Sequence, residues 1–333
     1  MRLKFLDIAK GLAIIMVVVG HFFPSSSPHW YVLMRQVIYS FHMPLFLFIS
    51  GFVYMYTWKE QSYGSFLFSK VKRIVIPYFV VSLLFIFIKF IPQFFGIYVK
   101  NPVTLMSFVR IFYYPEAAVS FWYLWALWWF YMITPLMKSR WVRVVALVAA
   151  VAVSYIPLEV TGVFALDKVK EMYGYFMLGV VAADWREMLA PLKYMRSWVI
   201  YALWGLLVYV WLLHDIHMGF LLAVSGTSVV LRLAADMVPI IEKGRCRWLE
   251  SVSASSYMIY LLHPVFLAAV MAVLHEVRFP LSSDPLFVPV AAAACFFGTA
   301  GPMFVRKILS RFSLRHIPRG NRRIGVRNIH TAE

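Results

Sequence analysis

Apolar residues run along this chain in long blocks rather than in alternation, and the blocks are cut by short polar segments. Ten are of the length that crosses a bilayer as a helix, about 17 to 25 residues, or somewhat shorter. They lie near 5–23, 37–57, 75–95, 119–136, 142–157, 171–184, 197–213, 217–234, 254–274 and 286–308. The pattern predicts an all-α, polytopic membrane protein with a ten-helix domain over 1–310 and a basic tail over 311–333. The first block has the basic start of a signal peptide but no small-residue cleavage site, so it reads as a retained span.

Positive charge gives the direction. Of the 32 Lys and Arg residues, 24 fall on one side when the segments are threaded alternately, six fall on the other, and Lys10 and Lys89 lie within spans. Cytoplasmic loops hold the excess of Lys and Arg, so both termini are expected inside. The net charge of +17 is then spread over six separate segments and needs no nucleic acid to explain it. The tail is suited to anionic lipid headgroups, or to lying free in solvent.

Composition agrees with this solvent: 62% of residues are hydrophobic and 14% charged. Cys246 falls in an inner loop and Cys295 in the last span, which excludes a disulfide framework and offers no thiolate metal site. His214, Asp215 and His217 make a short outer loop with few ligands for a metal.

Charged groups within spans are costly, so each calls for a partner, a wet cavity or a task. In DIAKGLAIIMVVVGH, Lys10 and His21 are eleven positions apart and share one helix face, with about 16 Å of rise between them. Asp7, three residues before Lys10, is placed to pair with it. Taken singly, Asp7 and Lys10 read as an interfacial pair and His21 as a wet, neutral side chain. Together they put a charge pair and an imidazole on one face.

Four further stretches matter. In SFHMPLFLFISGFVY, His42 sits at about the depth of His21, and Ser50 with Gly51 suits close helix packing. In SKVKRIVIPYF, Lys70, Lys72 and Arg73 stand at the inner mouth of the third span, as a phosphate site or as the topology signal again. In FWYLWALWWFY, Trp122 and Tyr123 are expected near the outer interface, as an aromatic belt or a wall for a sugar ring. In SASSYMIYLLHPVF, Ser256, Tyr260 and His263 share a face beside Pro264, which frees a backbone carbonyl that His263 could satisfy.

These stretches resemble acyltransferase family 3, which includes bacterial O-antigen and fucose O-acetylases. The likeness rests on LDIAKGLAIIMVVVGH, FHMPLFLFISGF, KVKRIVIPY, FWYLWAL and SSYMIYLLHPVF, and spans essentially the whole chain. It implies a multi-pass protein of the bacterial cytoplasmic (inner) membrane. Such a protein takes an acyl group, usually acetyl, from cytosolic acyl-CoA and places it on a hydroxyl of a cell-surface glycan or lipid-linked precursor. The family's essential basic residue and histidine correspond to Lys10 and His21, and its third-span Arg to Arg73. Many members carry Arg where this chain has Lys10.

On that resemblance Lys10, Arg73, Lys70 and Lys72 would hold the phosphates of acetyl-CoA. His21 would act as general base or as a transient acyl carrier. His42 would orient His21 or donate to the oxyanion. Asp7, Trp122, Tyr123, Tyr260 and His263 would line the substrate pocket, and no metal is expected. The rival is a secondary transporter with an intramembrane proton relay. Against it, the ionisable positions cluster in spans one to three and nine, with no matching set in a second half.

Overall fold

The computed structural model describes residues 3–24, 26–97, 99, 101–116, 118–190, 194–214, 218–277, 279 and 284–315. The expected basic tail lies outside them from residue 316 onward, as do Asp215 and His217 of the short outer loop. The described residues form helices without strands. The long helices, in chain order, are α1 (Lys4–His21), α2 (His29–Tyr56) and α3 (Tyr63–Phe94). They continue with α4 (Trp122–Ile133), α5 (Arg140–Tyr155), α6 (Leu166–Asp184) and α7 (Ser197–His214). The last are α8 (Gly219–Glu242), α9 (Trp248–Glu276) and α10 (Asp284–Arg315).

Each of the ten apolar blocks lies on one of these helices. Among the described residues, α2, α3, α7, α8, α9 and α10 are long and apolar enough to cross a membrane. The others fall short for legible reasons. α1 carries Lys4, Asp7 and Lys10 in its first two turns, α4 and α5 have 12 and 16 residues, and α6 opens on the run LDKVKE.

The tightest crossing joins α2 to α6. A Cβ at Gly51 would fall on the Phe176 carbonyl, and one at Gly179 on the Phe48 carbonyl, so the two backbones touch. Small residues permit such contact where helix association depends on van der Waals packing. The expectation of packing at Gly51 is met.

Several charged contacts fasten the Lys10 end of the bundle. Arg143 Nε donates to Asp184 at 2.6 Å, and its Nη1 reaches the carbonyls of Met137 and Lys138, fastening α5 to α6. Lys4 pairs with Glu242 of α8, and Arg306 of α10 donates to Ser255 of α9 at 2.7 Å.

Two features depart from the sequence reading. α3 begins at Tyr63, twelve residues before the expected start, and is continuous through a π turn at Val71–Val75. Lys70, Lys72 and Arg73 therefore sit within a helix and not on a loop at its mouth. The segment after α3 also folds inward. Tyr78 Oη donates to the carbonyls of Ile111 and Tyr114, at 2.7 and 3.1 Å, while Val103, Ser107, Ile111 and Phe121 are buried. Irregular backbone at depth persists where the protein satisfies its polar groups, and Tyr78 does so here.

Candidate active site

α1 ends at His21, ahead of Pro24, and its final carbonyls are taken up by side chains of α2. Helix ends leave carbonyls without intrahelical partners. Here Tyr31 Oη donates to Val19 and Phe22, at 2.7 and 3.0 Å, and Arg35 Nε donates to Gly20 at 2.7 Å. The Arg35 guanidinium also lies over the rings of Phe23 and Tyr39, 4.1 and 4.6 Å from their centroids. Gly20 admits the Tyr39 ring, since a Cβ there would come within 2.7 Å of it. The turn bearing His21 is thus held on several sides. Sequence reasoning missed Arg35 and Tyr39, although Tyr31, Arg35, Tyr39 and His42 fall on one stripe of α2 by their spacing.

Three imidazoles follow one rule. Nδ1 of His21 bonds the carbonyl of Val17 at 2.8 Å, and Nδ1 of His42 bonds that of Ile38 at 2.9 Å. Nδ1 of His263 meets the carbonyls of Ile259 and Tyr260, both at 2.9 Å. A carbonyl only accepts, so Nδ1 carries the proton in each ring and the neutral form keeps its lone pair at Nε2. Pro264 explains the second bond of His263: it has no N–H for the Tyr260 carbonyl four residues back, and the imidazole supplies one.

The nearest imidazole to His21 belongs to α9. The His21 and His263 rings meet edge to face, with centroids 4.9 Å apart at 80°. His42, expected to share a cavity with His21, meets the same Tyr39 ring, whose centroid lies 6.0 Å from that of His21 and 4.7 Å from that of His42.

Below this group lies an aromatic wall. Tyr260 Oη donates to the Ser120 carbonyl at 2.6 Å, and its ring meets Tyr123 at 5.3 Å. The Tyr123 hydroxyl bonds Ser50 Oγ of α2 at 3.0 Å. Tyr123 is buried and Trp122 half-buried against it.

The cations stand at the other end. Lys10 Nζ pairs with Asp7 at 3.5 Å on α1. Lys70 Nζ lies 3.9 Å from the Tyr131 ring centroid, and Lys72 Nζ 4.4 Å from that of Phe68. The Arg73 side chain is exposed, and its carbonyl accepts from Tyr257 Oη of α9 at 2.8 Å. Pro77 has no N–H to offer that carbonyl. Tyr257, which the sequence reading did not single out, therefore links Arg73 to the helix that carries Tyr260 and His263. No cluster of three or more His, Cys, Asp or Glu suited to a metal ion occurs among the described residues.

Comparison with known proteins gives a consistent result. A family described as an acyltransferase domain matches residues 3–306, which include every side chain described in this site. The nodulation protein NolL of Sinorhizobium fredii is 26% identical over 259 residues, covering 69% of this chain and 67% of NolL. No solved structure matches.

Proposed function

Because the chain belongs to the acyltransferase family whose domain spans residues 3–306, and six of its helices can cross a membrane, we propose that it is a membrane O-acyltransferase. Its donor is cytosolic acyl-CoA, acetyl-CoA in the first instance. Its acceptor is a hydroxyl of a cell-surface glycan or a lipid-linked precursor. In this reading the ten helices all span the bacterial inner membrane, with both termini and the Lys10 end of the bundle in the cytoplasm.

The observation that carries the reading is the layout of α1, which sets the Asp7–Lys10 pair at one end and His21, packed against His263, at the other. The rise between Lys10 and His21, about 16 Å, suits a pantetheine arm whose phosphates stay with the cations. Lys10, Lys70, Lys72 and Arg73 hold those phosphates. Tyr123 and Tyr260 flank the thioester, with Trp122 behind them, and Asp7 fixes Lys10. His21 is the general base. Its Nδ1 is tied to Val17, so Nε2 takes the proton of the acceptor hydroxyl as that oxygen attacks the thioester carbon. His42 steadies Tyr39, and through it the His21 ring.

The test uses purified protein in nanodiscs with labelled acetyl-CoA. Lys10→Ala is expected to weaken acetyl-CoA binding, while His21→Ala binds it normally and releases no acetyl to a hydroxyl acceptor or to water. A wild-type protein that neither binds nor consumes acetyl-CoA would refute the proposal, and proton-coupled uptake would then be tested.

A further inference from the structure

His263 has one ring nitrogen more than its structural task needs. Nδ1 satisfies the Ile259 carbonyl and the Tyr260 carbonyl freed by Pro264. Nε2 is enclosed and has no hydrogen-bond partner, in a side chain with 0% exposure. Buried polar atoms are nearly always paired, so a bare one calls for an explanation.

Its neighbours narrow the choice. The phenols on the side of the wall are committed: Tyr260 donates to Ser120, Tyr257 donates to Arg73, and the Tyr123 hydroxyl bonds Ser50. Tyr257, Tyr260 and His263 follow one another at three-residue steps along α9, about 4.5 Å of rise apiece. This ladder leads from the Arg73 carbonyl to the edge of the His21 ring. His263 thus stands between the base and the wall along which a thioester arriving from the cations would lie.

We propose that His263 is the acid that protonates the departing thiolate, working with His21 as a two-imidazole pair; this rests on the acyltransferase reading and goes beyond it. The acceptor O–H bond breaks and its proton goes to Nε2 of His21. The oxygen bonds to the thioester carbon, giving a tetrahedral adduct, and the proton passes from Nε2 of His21 to Nε2 of His263. The C–S bond then breaks with its electron pair leaving on sulfur as His263 delivers the proton there, so the products are an ester and a free thiol and both rings end neutral.

The decisive measurement is kcat for a series of acetyl thioesters, from alkyl thiols such as CoA to more acidic aryl thiols, which leave without needing a proton. Wild type is expected to be nearly indifferent to thiol acidity. His263→Gln should lose roughly 100-fold with acetyl-CoA, keep its KM, and recover to within about tenfold of wild type with aryl thioesters, the gap that a missing acid-catalysis step leaves. His21→Ala should stay slow throughout. The proposal is overturned by a His263→Gln variant equally slow with both donor types, or as fast as wild type with acetyl-CoA. It is equally overturned by a wild type whose rate climbs steeply with thiol acidity, a result that stands even if the variant fails to fold. Wild type inert to every thioester would remove the acyltransferase reading as well, whereas active wild type with a steep dependence removes His263 alone.

Discussion

Gly51→Ala is the sharpest probe of the scaffold that carries the imidazoles. The added methyl would fall on the Phe176 carbonyl, 2.9 Å from its carbon and 3.2 Å from the Val180 nitrogen. These are backbone atoms, so no rotamer change can make room, and α2 and α6 must part by roughly 1 Å. Forcing a methyl into a closed contact costs about 1–3 kcal/mol. The same shift carries Ser50 away from Tyr123 and moves Tyr39 against His21, and a misplacement of that size lowers turnover by about 100-fold. Thermal unfolding in nanodiscs, read beside acetyl-CoA consumption, should show both losses. Gly179→Ala, on the other side of the crossing, should match it, and the double variant should cost less than the two together, because the helices have already parted. Gly205→Ala supplies the control. Nothing lies within 4 Å of a Cβ there, so it should be neutral or slightly stabilising. A Gly51→Ala protein with unchanged midpoint and turnover would refute the backbone contact and the positioning argument built on it.

Arg143→Met should destabilise by about 3–5 kcal/mol, since it strands Asp184 and two carbonyls; Asp184→Leu in the same chain should restore much of the loss in a denaturation series. Tyr123→Phe removes the bond to Ser50 and should cost about 0.5–1.5 kcal/mol with a larger fall in kcat than in acetyl-CoA affinity, measured by steady-state kinetics and calorimetry. Arg35→Lys keeps the charge but loses the planar stack on Phe23 and Tyr39, about 1 kcal/mol, and should slow transfer without altering acetyl-CoA binding in a filter assay.

Within each helix, much of this arrangement was legible in the sequence. The register of Lys10 with His21, and of Ser256 with Tyr260 and His263, is fixed by helical geometry, and length with hydropathy marks the apolar blocks. Periodicity says which residues share a face but not which helix that face will meet. His42 was therefore paired with His21 on depth alone, while the crossing of α1 with α9 brings His263 closer. The start of α3 was missed because YGSFLFSK is weakly apolar and joins the span through a π turn. The infolding of the segment before α4 depends on Tyr78 finding the Ile111 and Tyr114 carbonyls, a contact 33 or more residues away in sequence, and no local pattern announces it.

Two prolines connect the fold to the chemistry by the same means. Pro77 leaves the Arg73 carbonyl without its backbone donor and Tyr257 supplies one; Pro264 does the same to the Tyr260 carbonyl and His263 supplies one. Each replacement donor is a side chain of α9, and each fixes a site group in place. The first ties the helix of the cations to α9, and the second fixes the orientation of the imidazole against His21. A proline within a helix is costly unless the freed carbonyl finds another partner. Here the partner is in both cases part of the site, so the helix breaks that weaken α3 and α9 locally are also what hold Arg73 and His263 in register with each other.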